Sequence, residues 1–222
     1  MKVIVFTATK GGVAKTTLCY NTAIYASQKH QVFVADLDPQ QSLKSIWGRR
    51  SELLNPRLIT DVESVGKSVK LLTQAGYDRE YMFVDTPGSM MPVITDAIMA
   101  ADLIMLPTQP SPLDLQAQDA VAERIAKLGL SDKAMFVLTR TSNKADTDKA
   151  KKYLSLLTKN PILSMAERAD YKRATEKGQA VWEVSNNKEA KSEIKTLWEA
   201  MKSAAGKSQG ATTEKSNERA IH

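Results

Sequence analysis

Val3-Ile4-Val5-Phe6-Thr7-Ala8-Thr9-Lys10-Gly11-Gly12-Val13-Ala14-Lys15-Thr16-Thr17 opens the chain with an apolar run that breaks into glycines and resumes as Lys-Thr-Thr. Four apolar residues in succession predict a strand buried on both faces. The adjacent glycines let the backbone curl, and N–H groups turned inward in such a bend form a concave anion cradle. Lys15-Thr16-Thr17 predicts the first turn of a helix whose positive end faces the same anion. Lys15 is placed to reach the outer phosphates of a nucleotide, and the Thr16 hydroxyl to meet a divalent cation. The general pattern G-x-x-x-x-G-K-[ST] is not met, because position 9 is Thr and Ala14 precedes Lys15. A second lysine, Lys10, stands where an ordinary phosphate loop needs none.

Outward from this segment, short apolar runs alternate with longer helical patterns. Strands are predicted at 2–8, 32–36, 81–85, 102–107, 134–139 and 161–164, and helices at 15–29, 41–50, 62–76, 92–101, 113–129, 146–159 and 188–203. The strands are nearly continuously apolar, so the fold class is α/β, a mostly parallel twisted sheet with helices on both faces. One domain is expected over 1–203. Residues 204–222 are small and polar and predict a disordered tail.

At 222 residues the chain can bury a full core. No apolar run approaches the roughly 20 residues that span a bilayer, and the start lacks the pattern of a secretory signal. The single Cys19 permits neither an intrachain disulfide nor a Cys-rich metal site. A cytoplasmic protein is expected. Net charge is +6, and it is unevenly spread. Residues 1–132 carry 13 Lys and Arg against 14 Asp and Glu, whereas 133–202 carry 15 against 9. A basic excess segregated in the C-terminal third suits non-specific attraction to nucleic acid.

Ligands of open parallel sheets sit at the carboxyl ends of the strands. Three predicted strands deliver chemistry there: the glycine loop, then Asp36 and Asp38, then Asp85. A phosphate cradle beside carboxylates is what a nucleoside triphosphate with a divalent metal requires.

Lys10-Gly-Gly-x-x-Lys-Thr-Thr resembles the deviant Walker A loop of the ParA/MinD superfamily of P-loop ATPases. Asp36-Leu37-Asp38-Pro39-Gln40 resembles its DxDPQ switch, and Asp85-Thr86-Pro87-Gly88 its Walker B and second switch. Pro107 to Asp114, with Pro110-Ser111-Pro112-Leu113-Asp114 at its end, is similar to the PxxPSPLD segment of ParA-type partition proteins. The resemblance covers about residues 1–200.

It implies roles by position. Lys15 and the backbone of Gly11, Gly12, Val13, Ala14, Thr16 and Thr17 would hold the phosphates of ATP. Thr16 would take Mg²⁺ with Asp85 helping through water, Asp38 would orient the attacking water, and Asp36 would support the loop and the metal shell. Lys10 would reach the nucleotide of a second copy and neutralise developing phosphate charge, so that hydrolysis requires a dimer. Thr139 and Arg140 match a position near adenine. The family carries Gly at the position of Ala14. If the backbone there has positive φ, Ala costs about 1 kcal/mol of strain.

Among superfamily members, one cysteine excludes the iron–sulfur carriers, and the tail has no tyrosine cluster of the tyrosine-kinase type. The loop lies at the start of the chain, so the small partition ATPases without an N-terminal DNA-binding extension are the expected group. The resemblance then implies an ATP-bound sandwich dimer on non-specific DNA, nucleoid-associated and slow until a centromere-binding partner stimulates it. Candidate DNA contacts are Lys151, Lys152, Arg168, Lys172, Arg173, Lys177, Lys191 and Lys195. The main alternative is a MinD-like membrane-cycling ATPase, for which Ile194, Leu197, Trp198 and Met201 would form the apolar stripe of a terminal amphipathic helix. Interleaved Glu189, Glu193 and Glu199 favour a helix that packs on its own domain, and no stable membrane association is expected. A ligase using ATP to amidate a small molecule shares the fold but would need a further substrate site.

Overall fold

A computed structural model describes residues 1–50, 55–77, 80–88 and 92–207. Its strands are β1 (Lys2–Phe6), β2 (Val32–Asp36), β3 (Arg57–Ile59), β4 (Tyr81–Asp85), β5 (Leu103–Thr108), β6 (Ala134–Thr141) and β7 (Leu163–Ala166). They form one sheet in the order β3-β2-β4-β1-β5-β6-β7, with every pairing parallel. The helices are α1 (Lys15–Ala26), α2 (Ser42–Trp47), α3 (Val65–Gln74), α4 (Pro92–Ala100), α5 (Pro112–Lys127), α6 (Lys144–Leu154), α7 (Ala169–Glu176), α8 (Val181–Val184) and α9 (Lys188–Lys207).

The continuous apolar strands serve two cores at once, because successive side chains leave opposite faces. Ile4 and Phe6 of β1 join Val34, Phe83 and Met105 beneath α1 and α9, while Val3 and Val5 join Phe33, Val84 and Ile104 beneath α4 and α5. Ile194, Leu197, Trp198 and Met201 of α9 are all buried. The Trp198 ring lies 4.9 Å from that of Tyr81, 5.6 Å from that of His30 and 5.8 Å from that of Phe83, measured between centroids. The stripe that a membrane-binding helix would present is therefore spent inside the domain. Among the described residues no helix is long and apolar enough to cross a membrane.

The structure departs from the expected elements in several places, among them the short helix α8 (Val181–Val184), which no predicted helix covers. β3 is only Arg57-Leu58-Ile59, too short and too charged to register as an apolar run. In α7 only Tyr171 and Ala174 are buried, which leaves almost no periodicity to read. α9 continues to Lys207, four residues past the expected boundary at 203, while 208–222 lie outside the described residues.

The turn between α7 and α8 is held against the chain that follows α2. Gly178 has φ +65°, and a Cβ there would come within 2.7 Å of the Arg49 backbone. Tyr20 donates to the Gly178 carbonyl at 2.7 Å, and Arg50 bonds Tyr20, Gly178 and Glu183.

Candidate nucleotide-binding site

The carboxyl ends of β1, β2 and β4 open into one cleft of about 700 Å³, lined by residues 10–17, Asp38, Pro39, Gln40, Ser42, Ile46, Pro87, Gly88 and Arg140. Gly12 has φ +79°. Ala14 has φ 66° and ψ 21° at the position preceding α1, and it provides no side-chain cap. The first N–H groups of α1 are thus free of a capping side chain and carry the positive end of the helix dipole. Gly88 packs its backbone on Gly11, where a Cβ would meet the Gly11 Cα at 3.7 Å.

The left-handed conformation at Ala14 is the one in which an L side chain is strained and glycine is not. Ala14→Gly is therefore expected to raise stability by about 1 kcal/mol, read as a higher urea midpoint with an unchanged slope. The same change should not weaken nucleotide binding, because no side-chain contact to the ligand is removed.

Lys15 and Thr16 converge on one carboxylate. Lys15 Nζ lies 2.9 Å from Asp85 Oδ1, and the Thr16 hydroxyl donates to Asp85 Oδ2 at 2.6 Å. Asp85 is fully buried and Lys15 nearly so. Burial pushes the Asp85 carboxyl above its ordinary range, and the Lys15 charge with the Thr16 hydrogen bond offsets only part of that rise. The pair is a preformed joint between the glycine loop and β4.

Asp36 and Asp38 take different places after β2. Asp36 accepts the Asp38 N–H at 3.1 Å and the Lys44 N–H at 2.9 Å, so both oxygens brace the segment that leads into α2. Asp38 borders the cleft and accepts the Gln40 N–H at 2.9 Å.

Lys10 turns to another carboxylate. Its Nζ lies 2.8 Å from Asp114 Oδ1, with the lysine side chain 63% exposed and the aspartate 8%. Ser111 donates to Asp114 Oδ2 at 2.6 Å and accepts the Asp114 N–H at 3.2 Å, capping α5. Burial alone would raise the Asp114 carboxyl, but the hydrogen bonds from Lys10 and Ser111 outweigh it and hold it below the usual range. Asp114 and Ser111 belonged to a quoted motif without an assigned role. The Ser-x-x-Asp spacing at a helix start was the available signal.

Thr139 places its buried hydroxyl 3.2 Å from the carbonyls of both Val13 and Thr108, which ties β6 to the glycine loop, and it lines a second cleft beside Arg140. Arg140 adopts φ 53° and borders the phosphate cleft. A second cleft of about 470 Å³ shares Ala14, Thr17 and Arg140 with the first and continues along Met165, Ala166 and Tyr171. That wall comes from β7, expected at 161–164 and found at Leu163–Ala166, and from α7, which carries almost no apolar periodicity.

Of the basic candidates, Arg168 and Lys172 border the second cleft. Lys151 on α6 borders a groove with Glu189, Glu193 and Thr196 of α9. Lys152, Lys172, Arg173, Lys177 and Lys195 are exposed, and Lys151 and Lys191 half-buried. Lys191 stacks its ammonium 5.6 Å from the Trp182 ring centre. Arg168 sets its guanidinium on Glu193 through two bonds of 3.1 and 2.9 Å.

Comparison with known proteins agrees with this geometry. A family model described as the CobQ/CobB/MinD/ParA nucleotide binding domain matches residues 4–181. Maintenance of carboxysome distribution protein A of Halothiobacillus neapolitanus is 31% identical over 184 residues, covering 79% of this chain and 84% of that protein. Protein ParA of Rhizobium radiobacter is 33% identical over 117 residues, 51% of each chain. A Borrelia burgdorferi protein described as a plasmid partition protein, solved with AMPPNP, superposes with a TM-score of 0.72 at 19% identity, covering 93% of this chain and 98% of that one. At that identity the likeness speaks for the fold alone. A glycine loop closing on a buried Asp85, set in a seven-stranded parallel sheet, therefore places this chain in the CobQ/CobB/MinD/ParA nucleotide-binding family, alongside the ParA-type proteins.

Proposed function

We propose that the chain is a Mg²⁺-dependent ATPase that forms a sandwich dimer on ATP, binds DNA without sequence preference in that state, and partitions plasmid or chromosomal DNA. The observation that carries the reading is the sorting of two lysines from one loop: Lys15 inward on Asp85, Lys10 outward at the rim.

In this reading the loop N–H groups and Lys15 bind the phosphates, and the α1 dipole adds to their field. Thr16 and Asp85 offer oxygen ligands only, which suits a hard divalent cation held jointly with phosphate oxygens. Among the described residues no three His, Cys, Asp or Glu side chains cluster as a metal site, so the phosphates would complete the shell. Mg²⁺ there would neutralise charge on the phosphates. Asp38 orients the attacking water, and Lys10 of a second copy meets the charge that develops on the transferred phosphoryl group. The cleft beyond Ala14 would receive the base, with Arg140 at the junction.

A second reading concerns the cargo. The Halothiobacillus relative is named for carboxysome distribution, so a protein body is an alternative load for the same cycle. In either case the basic residues of α6, α7 and α9 would meet DNA phosphates.

The test is DNA binding measured with ATP and with ADP over a salt series. Tight binding with ATP that weakens at least tenfold between 50 and 200 mM salt, on the order expected for several phosphate contacts, supports the reading. Equal affinity with both nucleotides, or no salt dependence, would overturn it. A centromere-binding partner that raises turnover separates DNA cargo from a protein load.

A further inference from the structure

We propose that Asp114 is a positioning residue that latches Lys10 to its own subunit and thereby sets the threshold for dimerisation. The proposal rests on the reading of Lys10 as the lysine that serves a second copy.

The two ends of the latch are unequal. Asp114 is rigid: it lies in the first turn of α5, 8% exposed, with Ser111 on its second oxygen and its carbonyl bonded by Gln118 at 3.0 Å. Lys10 is a long, exposed side chain whose Nζ is held, among the described residues, by that carboxylate at 2.8 Å. A free lysine of this kind would sample many rotamers, so the tether decides where the amine is found. Leu113 stands beside the pair, 80% exposed, in the shallow recess that Lys10 and Asp114 also line.

Delivery to the second copy's phosphates requires the amine to leave Asp114 Oδ1. The exchange trades one charge-assisted bond for others, and it leaves a largely buried carboxylate with Ser111 as its remaining side-chain donor. The intrachain bond therefore competes directly with the intermolecular one. Single chains stay single until a bound triphosphate offers the amine more than Asp114 does.

The experiment is sedimentation velocity across a protein-concentration series with saturating AMPPNP and Mg²⁺. Asp114→Asn keeps the side-chain shape and the cap on α5 but removes the charge that holds Lys10. It should dimerise at about fivefold lower protein concentration than the unmodified chain, in line with a partly exposed ion pair. Asp114→Ser, which keeps a hydroxyl at the helix start, should shift the midpoint in the same direction. In a Lys10→Ala background neither change should move it. An unchanged or higher midpoint in both variants overturns the latch, as does a shift that persists without Lys10. An unmodified chain that stays monomeric under AMPPNP instead overturns the dimer reading itself, so the two failures are told apart.

Discussion

Lys15→Ala is expected to lower ATP affinity at least 100-fold and to remove nucleotide-dependent dimerisation with it. The lysine supplies charge-assisted hydrogen bonds worth roughly 1.5–3 kcal/mol each, and the loop N–H groups alone do not replace a full positive charge. The change also has a structural consequence that most phosphate contacts lack. It leaves Asp85, fully buried, with Thr16 as its remaining side-chain donor. Breaking a buried pair in this way costs on the order of 3 kcal/mol at neutral pH. The sign of the pH dependence follows from Asp85. Its folded-state pKa already lies above the ordinary value through burial, and loss of the Lys15 charge raises it further. A carboxyl with a raised folded pKa penalises the fold while ionised, and the penalty is relieved as pH falls through that pKa. The stability gap between variant and parent should therefore narrow from pH 7 down toward the ordinary carboxylate range. Nucleotide titration at neutral pH and urea unfolding across that window check both halves. A gap that widens on acidification would reject the assignment of Asp85 as the stranded group.

Lys10→Ala should leave ATP affinity within about twofold while stimulated turnover falls 100- to 1,000-fold, the scale of a transition-state charge contact. Lys15 and the loop N–H groups do not depend on Lys10, and Asp114 keeps its bonds to Ser111. With Lys10 63% exposed, its loss should change stability by less than about 1 kcal/mol. The variant thus separates binding from turnover, where Lys15→Ala removes both. Partner-stimulated phosphate release beside equilibrium nucleotide binding makes the comparison. Normal stimulated turnover would end the cross-subunit assignment.

How far these residues could be read in advance depended on whether their meaning was local. The glycine bend, the strand before it and the aspartates ending β2 and β4 announce themselves within a few positions, because strand ends of a parallel sheet gather on one side. Ala14 was likewise legible: the strain follows from the backbone shape that such a loop adopts, and φ 66° is that shape. What escaped reading was pairing at a distance. Lys10 meets a carboxylate 104 residues away, and Arg168 meets Glu193 25 residues on, so one amine and one guanidinium expected to reach other molecules also have partners within the chain. Thr139 likewise bonds at a distance, its hydroxyl meeting the Val13 carbonyl 126 residues away. β3 and α7 were missed for another reason. Three residues of strand, and a helix with two buried side chains, hold too little apolar pattern to stand above their neighbours.

The burial of Trp198 and its companions on α9 bears on how the molecule is made. One face of β1 is roofed partly by a helix encoded nearly two hundred codons later. Until that helix emerges from the ribosome, Ile4, Phe6 and Phe83 lack part of their native cover, and the growing polypeptide carries an open greasy sheet. Completion of the surroundings of β1 therefore waits for α9, which makes that helix a checkpoint for nascent-chain folding as well as a wall of the finished core.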